Sequence, residues 1–466
     1  MKVLFVTGKL AERALCRTLE GMAPDFAWEV AVMKITVAAL MTPEWIAKFL
    51  EPAADCDLIL LPGLCKGDTH VLAEAIGVRA EKGPADLRNI PEYFGLAAAR
   101  SDYGAHDIRI LAEINNAPLL EAEEIHAMAE HYRDSGADII DIGCTPGHAF
   151  PRLAEVVHSL RAEGFEVSID TFDPNEIRTA VDAGARWVLS VNSTNLGVAR
   201  NLDATVVAIP DPGGGLETLE PTLESLEAWG TPYIVDPVIE PIGFGFAESL
   251  CRYAEVRRRY PATEMLMGIG NITELTTADT TGVNAVLIGY CQELGIRYVL
   301  TTEVIPWARG AVREIDVARR LMHYSVNERQ LPKHLDDRLL TVKDPEVLAY
   351  SEEELRALQA QITDPNFRIF SDREFIYVFN SERFVRGRNI QEIFRQLDVD
   401  EPTHAFYLGK ELMKAKIAVD LGKTYRQEGM LSWGYLTPPE EPTEEHVTLT
   451  QRSRESREVK ERRGPR

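Results

Sequence analysis

The chain has 466 residues, of which 45% are hydrophobic and 26% charged, as in ordinary globular proteins of two to four domains. Its 73 acidic and 50 basic residues give a formal net charge of −23, which argues against binding to duplex nucleic acid or to an anionic membrane. The six cysteines form no C-x-x-C pair, and no apolar stretch approaches the roughly 20 residues of a membrane helix. We therefore expect a cytoplasmic protein.

Residues 1–100 alternate between strand and helix patterns, which predicts a Rossmann- or flavodoxin-like parallel α/β domain. The predicted strands are residues 3–6, 28–32 and 58–61. Two turns, at 7–9 and 62–67, follow the first and third strands, where such folds bind ligands. Neither turn has the spacing of a P-loop, so phosphate-binding loops and plain tight turns both remain open.

Residues 107–330 carry eight strand patterns, most of them followed by an amphipathic stretch. The strands are predicted at 109–114, 138–142, 166–170, 187–191, 205–209, 233–236, 265–268 and 298–301. Eight such units predict a (β/α)₈ TIM barrel, and a doubly wound sheet is the alternative.

The pattern changes after residue 330. Residues 335–436 predict a small α/β domain with a helix at 352–361, a hairpin of 367–370 with 375–379, and helices at 390–397 and 405–421. Residues 437–466 are rich in proline and charge, which predicts a disordered tail.

The chemistry of a TIM barrel lies at the carboxyl ends of its strands. Here most of those ends carry a carboxylate or a carboxamide, including Asp170, Asn192 and Asp236. Such groups suit a planar heteroaromatic ligand with an N–C–NH₂ edge, because a carboxylate accepts two parallel hydrogen bonds from it. The alternative is that they cap the following helices, as we expect for Asp173 before Pro174.

The barrel motifs resemble those of the pterin-binding barrels, which comprise dihydropteroate synthase and the methyltetrahydrofolate:corrinoid methyltransferases. The similar segments are Asn-Asn-Ala-Pro at 115–118, Gly-Ala-Asp-Ile-Ile-Asp-Ile-Gly at 136–143, Ser-Ile-Asp-Thr at 168–171, Asn192, and Val-Asp-Pro at 235–237 with Gly-Phe-Gly at 243–245. The resemblance implies that Asp236 and Asn192 hold the pterin, that Asp170 lies at its reactive side, and that Asn115 lines the substrate end.

The segments after the last two strands depart from dihydropteroate synthase. They read Gly-Ile-Gly-Asn at 268–271 and Thr-Thr-Glu at 301–303, in place of the synthase's basic motifs. Asn271 resembles the pterin-contacting Asn of the methyltransferases, and we take Asp170 and Asn271 as the catalytic candidates. The candidates for an anion or second-substrate end are Thr145, His148, Thr302, Glu303 and Arg309.

The three-part architecture resembles the dihydropteroate synthase-related proteins of archaea and bacteria that use tetrahydromethanopterin. This implies a transferase that condenses 6-hydroxymethyl-7,8-dihydropterin diphosphate with ribofuranosylaminobenzene phosphate. The alternatives are a pterin-dependent, corrinoid-linked methyltransferase and a non-catalytic pterin-binding scaffold subunit.

The expected ligands are these pterin and arylamine substrates, without nucleic acid or membrane, in a homodimer. Mg²⁺ on the diphosphate fits the chemistry, with Glu303 and Asp211 as neighbouring carboxylates, but no dedicated set of metal ligands is predicted. Only one helical stretch, at 405–412, resembles part of a corrinoid-carrying subunit, so we do not expect a corrinoid.

Overall fold

The computed structural model describes residues 1–9, 11–22, 24–35, 38, 41–50, 56–84, 87–95, 103–333 and 335–438. The chain divides into two compact units, Met1–Tyr103 and Gly104–Arg466. The predicted tail lies outside the described residues apart from its first two positions. None of the described helices is both long and apolar enough to cross a bilayer.

The first unit is built on a four-stranded parallel sheet in the order β2-β1-β3-β4. Its strands are β1 (Lys2–Gly8), β2 (Ala27–Met33), β3 (Leu58–Leu61) and β4 (Arg79–Lys82). Its helices are α1 (Glu12–Met22), α2 (Pro43–Phe49), α3 (Thr69–Ile76) and α4 (Ile90–Tyr93). α1 and α4 pack on one face, and α2 and α3 on the other. β4 was not predicted, because this edge strand, Arg-Ala-Glu-Lys, has no apolar run.

The second unit contains the predicted barrel of eight parallel strands in the order β10-β9-β8-β7-β6-β5-β12-β11. A parallel bridge between Val235 and Met265 links the first and last of these strands and closes the ring. The strands are β5 (Arg109–Ile114), β6 (Ile139–Gly143), β7 (Val167–Asp170), β8 (Trp187–Val191), β9 (Thr205–Ala208), β10 (Tyr233–Val235), β11 (Leu266–Gly268) and β12 (Tyr298–Thr302).

Helices surround the barrel and bury their apolar faces against its strands. They are α5 (Ala122–Ser135), α6 (Leu153–Ala162), α7 (Pro174–Asp182), α8 (Leu219–Trp229), α9 (Phe246–Arg259), α10 (Gly270–Thr273), α11 (Thr280–Leu294) and α12 (Ala311–Asn327). Only a short 3₁₀ turn, Leu196–Ala199, separates β8 from β9. Asp173 caps α7 as predicted, since its carboxylate accepts a 2.7 Å hydrogen bond from Asn175 N.

The remaining part of the second unit is an antiparallel sheet in the order β13-β14-β15, with helices packed on it. Its elements are α13 (Glu352–Gln359), β13 (Arg368–Ser371), β14 (Ile376–Phe379), β15 (Phe384–Gly387), α14 (Ile390–Leu397) and α15 (Pro402–Leu421). The segment after α15 returns to the barrel, where the Tyr435 hydroxyl donates a 3.0 Å hydrogen bond to the buried Glu314 of α12.

Candidate active site

Three carboxyl groups meet where β5, β6 and β7 end. Glu113, Asp141 and Asp170 each place one oxygen within 4.8 Å of the others. Their strands are adjacent: Glu113 is paired with Asp141, and Asp170 lies opposite Gly143, two residues further along β6. Asp141 is fully buried, and its Oδ1 accepts a 2.5 Å hydrogen bond from the Ser168 hydroxyl. Its Oδ2 has no hydrogen-bond partner among the described residues.

Burial raises the pKa of all three groups, and neighbouring carboxylates raise those of Glu113 and Asp141 further. Burial, followed by the charges of Asp170 and Glu274, raises the pKa of Glu113 to about 8. Burial raises the pKa of Asp170 to about 6, and burial with its two neighbours holds the pKa of Asp141 well above its usual range. At neutral pH Asp170 is therefore mostly ionised and Glu113 mostly protonated.

This cluster fits a hard divalent cation such as Mg²⁺, which prefers carboxylate oxygens. The unpartnered Asp141 Oδ2 supports the fit, because a buried carboxylate oxygen without a partner costs free energy that a cation would offset. Space at the cluster is tight on one side: a Cβ at Gly143 would lie 2.5 Å from Glu113 Oε1. The absence of a side chain at Gly143 thus leaves room for the Glu113 carboxyl group.

Outside this cluster, the carboxylate of Asp236 follows β10 and faces a short turn. Its Oδ1 accepts hydrogen bonds from Val238 N at 2.8 Å and from the Tyr253 hydroxyl at 2.5 Å. Burial raises the pKa of Asp236 to about 6, although both hydrogen bonds act in the opposite direction. Asp236 is thus fixed through one oxygen and ionised at neutral pH.

Two further side chains hold the turn that follows Asp236. Arg252 donates hydrogen bonds to Pro237 O at 3.3 Å and Val238 O at 2.6 Å, and Asn271 Nδ2 donates to Ile239 O at 3.1 Å. Val238 has a φ of 64°, which is unusual for a β-branched residue and costs on the order of 1–3 kcal/mol. These contacts hold the backbone in that conformation and so orient Asp236.

Asn192 follows β8 and is almost completely buried. Its Oδ1 accepts hydrogen bonds from Thr194 N at 3.0 Å and from the Thr194 hydroxyl at 2.6 Å, which defines the orientation of the amide. The Nδ2 donor is left without a partner among the described residues. Buried amide donors are normally satisfied, so Asn192 offers a hydrogen bond to a ligand.

Asn115, which follows β5, links this strand to β12. Its Nδ2 donates a 2.9 Å hydrogen bond to Glu113 Oε1, and its Oδ1 accepts one from the Thr302 hydroxyl. Asn115 and Thr302 therefore border the three-carboxyl cluster.

The other second-substrate candidates differ in their surroundings. Glu303 is turned to protein groups, since its oxygens contact His131 Nε2 at 3.2 Å and Val312 N at 3.1 Å. Thr145 donates to Asn116 Oδ1 at 3.0 Å, whereas His148 and Arg309 are exposed in the loops after β6 and β12.

Asp211, predicted with Glu303 beside a diphosphate-bound Mg²⁺, likewise binds protein groups. Its carboxylate accepts hydrogen bonds from Ser193 N at 3.0 Å and from the Ser193 hydroxyl at 2.7 Å. Both predicted carboxylates thus bind protein donors, and among the described residues the carboxyl oxygens grouped closely enough for a cation are those of Glu113, Asp141 and Asp170.

Three segments of the chain match known protein families. Residues 114–210 match the family described as pterin binding enzyme. This segment contains Asp141, Asp170 and Asn192, but not Glu113. The barrel is related to the pterin-binding enzymes. Residues 1–85 match a family of unknown function, DUF6513, and residues 367–428 match a family described as PterinBD-DUF4346.

The pterin-enzyme relationship is accompanied by further similarities. The chain is 28% identical over 524 aligned positions to the uncharacterized protein MJ0107 of Methanocaldococcus jannaschii, covering 92% of this chain and 98% of that protein. Among solved structures, a dihydropteroate synthase of Coxiella burnetii in complex with pteroic acid is 18% identical, covers 48% of this chain and 94% of its own, and has a TM-score of 0.39. The dihydropteroate synthase of Thermus thermophilus is 20% identical, with the same 48% and 94% coverage and a TM-score of 0.38.

Several groups of this candidate site were not among the predicted site residues. Glu113 and Asp141 were recognised as part of strand ends without a role, and pairing of the adjacent parallel strands brings them to Asp170. Tyr253 and Arg252 lie on α9, more than 15 positions after Asp236, and nothing in a helical pattern reveals a contact with a strand end. Only the predicted order of the barrel strands could have indicated the carboxyl cluster.

Proposed function

We propose that the barrel binds the pterin ring of a dihydropterin between Asp236 and Asn192 and transfers the group attached to it. The observation that supports this most directly is the buried Asn192 amide, whose oxygen is bound by Thr194 while its donor nitrogen has no partner among the described residues. Asp236 offers the complementary acceptor for the N–C–NH₂ edge of the ring. Together they recognise a ligand with adjacent donors and acceptors.

The proposed reaction is a condensation in tetrahydromethanopterin biosynthesis, which joins 6-hydroxymethyl-7,8-dihydropterin diphosphate to ribofuranosylaminobenzene phosphate. The C–O bond between the pterin methylene and the diphosphate breaks, and its electron pair leaves on the diphosphate. The lone pair of the arylamine nitrogen forms the new C–N bond, and one amine proton is released. Holding both reactants together lowers the entropic part of the barrier.

The carboxyl cluster supports this chemistry electrostatically. Asp170, with a pKa of about 6, is mostly ionised at neutral pH, so its charge stabilises positive charge on the pterin methylene as diphosphate leaves. It can also accept the proton released from the arylamine. Glu113, whose pKa is about 8, remains largely protonated in the absence of a cation.

The proposed reaction includes Mg²⁺, because the carboxyl cluster fits this ion. Glu113, Asp141 and Asp170 would hold the ion, which would supply positive charge near the diphosphate. The residues themselves orient the pterin and exclude water from the lower part of the barrel.

The second candidate function is a pterin-dependent methyl transfer. It is favoured by the acidity of the strand ends, because carboxylates repel a diphosphate. It is also favoured by Asn271, which is exposed beside the turn after Asp236 and would hydrogen-bond the ring as the methyl group leaves. Arg309, the predicted counter-charge, is exposed in the loop after β12.

The experiment is a single-turnover assay of the full chain with dihydropterin diphosphate, the arylamine phosphate and Mg²⁺. Mass spectrometry would detect the coupled product, and a phosphate assay after pyrophosphatase treatment would detect the diphosphate. Condensation predicts both products in equal amounts in the wild type and neither in Asp236→Asn. A parallel reaction contains a methylated tetrahydropterin and reduced cob(I)alamin, whose cobalt would accept the methyl group as its N–CH₃ bond breaks. Methyl transfer to cobalt, without condensation, would replace this proposal by the second. Pterin binding without either reaction would identify a scaffold subunit.

A further inference from the structure

The first unit carries a group of lysines at one edge of its sheet. Residues 1–103 contain six lysines, and four of them lie at or just after the carboxyl ends of the four strands. Lys9 follows β1, Lys34 follows β2, Lys66 lies five residues after β3, and Lys82 ends β4. All four are exposed. In a chain with a net charge of −23, this edge is a local concentration of positive charge.

The topology places this lysine edge where an open α/β sheet binds ligands. In the order β2-β1-β3-β4, the connections that leave β1 and β3 run to opposite faces of the sheet, with α1 on one face and α3 on the other. The point of reversal lies between the carboxyl ends of β1 and β3, where a crevice forms in such sheets. With strands about 4.8 Å apart, the four strand ends span about 15 Å, which lysine side chains can bridge.

Contacts among the loops bring the lysine-bearing segments together. Lys9 N donates a 3.0 Å hydrogen bond to Ile35 O, which joins the loops after β1 and β2. The Cys65 thiol contacts Ala38 O at 3.6 Å, so the loop after β3 reaches the loop after β2. The positive charge of Lys82 also acts on the Cys65 thiol, which places Lys82 near the loop of Lys66.

The loops after β3 and β4 approach closely as well. Gly83 N donates a 2.8 Å hydrogen bond to Leu61 O, and a Cβ at Gly63 would collide with Gly83 O. A side chain at Gly63 would therefore separate these two loops. The four lysines consequently lie on one connected set of loops and not on independent surface segments.

Acidic groups at the same edge are engaged locally. Asp68 accepts a 3.0 Å hydrogen bond from His70 N and caps α3, while Glu44 in α2 has its pKa lowered by its own backbone amide and by Thr42. Glu12 lies in the first turn of α1. These three carboxylates offset three of the four lysine charges, and Glu81, next to Lys82, is paired with Arg79, so the edge keeps one net positive charge that favours an anion.

We propose that this lysine edge binds the phosphate groups of a phosphorylated small molecule, at a site separate from the barrel. Lysine binds phosphate as a point charge, and several ammonium groups around one polyanion give an affinity that depends steeply on salt. The turns at 7–9 and 62–67, which the sequence leaves open between phosphate loops and plain turns, are thereby assigned to a ligand site without a P-loop.

The test is isothermal titration of the full chain with inorganic pyrophosphate at low salt, in an Asp236→Asn background that impairs the proposed pterin site. The double variant Lys9→Gln/Lys66→Gln removes two ammonium groups from the edge. The matched control, Lys2→Gln/Lys48→Gln, removes two lysines that lie at the amino end of β1 and in α2. We expect at least tenfold weaker binding in the first variant, unchanged binding in the control, and weakening of the parental affinity as salt rises.

Three results would overturn the proposal. The first is absence of pyrophosphate binding at millimolar concentration, and the second is an equal loss in both double variants. The third is binding of a single-stranded oligonucleotide, but not of pyrophosphate, that depends on Lys9 and Lys66, since this would identify a nucleic-acid surface. Near-ultraviolet circular dichroism checks that each variant is folded. A negative result in this titration does not affect the pterin proposal, because that proposal is tested separately by pterin binding and turnover in the barrel.

Discussion

The Tyr253 hydroxyl on α9 donates a 2.5 Å hydrogen bond to Asp236 Oδ1 at the end of β10. Tyr253 is fully buried and Asp236 nearly so, and burial with the Asp236 charge holds the pKa of Tyr253 well above its usual range. The proton therefore stays on the tyrosine, and the carboxylate stays charged at neutral pH. Tyr253 thus binds one oxygen of Asp236 and leaves the charged carboxylate able to accept hydrogen bonds from a ligand.

Replacement of Tyr253 by Phe removes the hydrogen bond that favours the ionised form of Asp236. The pKa of Asp236, about 6 in the wild type, is then expected to rise, so pterin affinity begins to fall at a higher pH. Below that pKa the affinity should decrease about tenfold per pH unit, because only the carboxylate accepts both hydrogen bonds. Titration with 6-hydroxymethylpterin from pH 5 to pH 8 measures the midpoint. An unchanged midpoint in Tyr253→Phe would contradict this account.

Replacement of Gly143 by Ala tests the space around the carboxyl cluster. The added Cβ would lie 2.5 Å from Glu113 Oε1 and 3.2 Å from Ile114 O, so the Glu113 carboxyl group must move. We expect a loss of about 1–3 kcal/mol in the free energy of unfolding, measured by urea denaturation. The control Gly197→Ala adds a Cβ with nothing within 4 Å and should change stability by less than about 0.5 kcal/mol. Equal effects in the two variants would contradict tight packing at Gly143.

The pH dependence of stability reports on Glu113. Its pKa is about 8 in the folded chain against 4.5 as the ordinary value, so the folded state binds its proton more tightly. This contribution is fully present below about pH 4.5 and is lost as pH rises towards 8. In EDTA, the stability of the wild type relative to Glu113→Gln should therefore fall between pH 5 and pH 8.

Glu353→Gln is the matched control for this measurement, because Glu353 is an exposed residue of the first turn of α13. Its stability difference from the wild type should stay constant over the same pH range. A constant difference for Glu113→Gln as well would show that the Glu113 proton is not bound more tightly on folding.

Mg²⁺ should reverse this trend at high pH. The ion binds the deprotonated carboxylates of Glu113, Asp141 and Asp170, so it is expected to raise the thermal midpoint more at pH 8 than at pH 6. Asp141→Asn should abolish the increase. The electron paramagnetic resonance spectrum of added Mn²⁺ gives an independent measure of cation binding. An equal increase in the wild type and in Asp141→Asn would place the cation elsewhere.

The sequence predicted the barrel well because each strand is an apolar run bounded by turn residues. The limits of β5 and β8 agree fully with prediction, and the other barrel strands differ by one residue at one or both ends. The exceptions elsewhere have a physical reason: β4 and β15 are short edge strands with charged residues, so their pairing and not their composition makes them strands.

The candidate site was predictable only in part. Asp170, Asn192 and Asp236 follow from their position at strand ends together with the family motifs. The contacts of Tyr253 and Arg252 with the Asp236 turn depend on how α9 packs, which no local pattern contains. Glu303 illustrates the reverse case, because a strand-end position does not reveal that His131 and the amide of Val312 already bind its carboxylate.

The central claim, that Asp236 and Asn192 form a pterin site, is tested most directly by isothermal titration with 6-hydroxymethylpterin at pH 7.5. The account predicts one site per chain in the wild type and at least 100-fold weaker binding in Asp236→Asn, since a charged two-bond contact contributes about 3 kcal/mol. Asp203→Asn, at an exposed position paired with Arg186, should bind like the wild type. Absence of binding to the folded wild type, or equal affinity in Asp236→Asn, would contradict the claim.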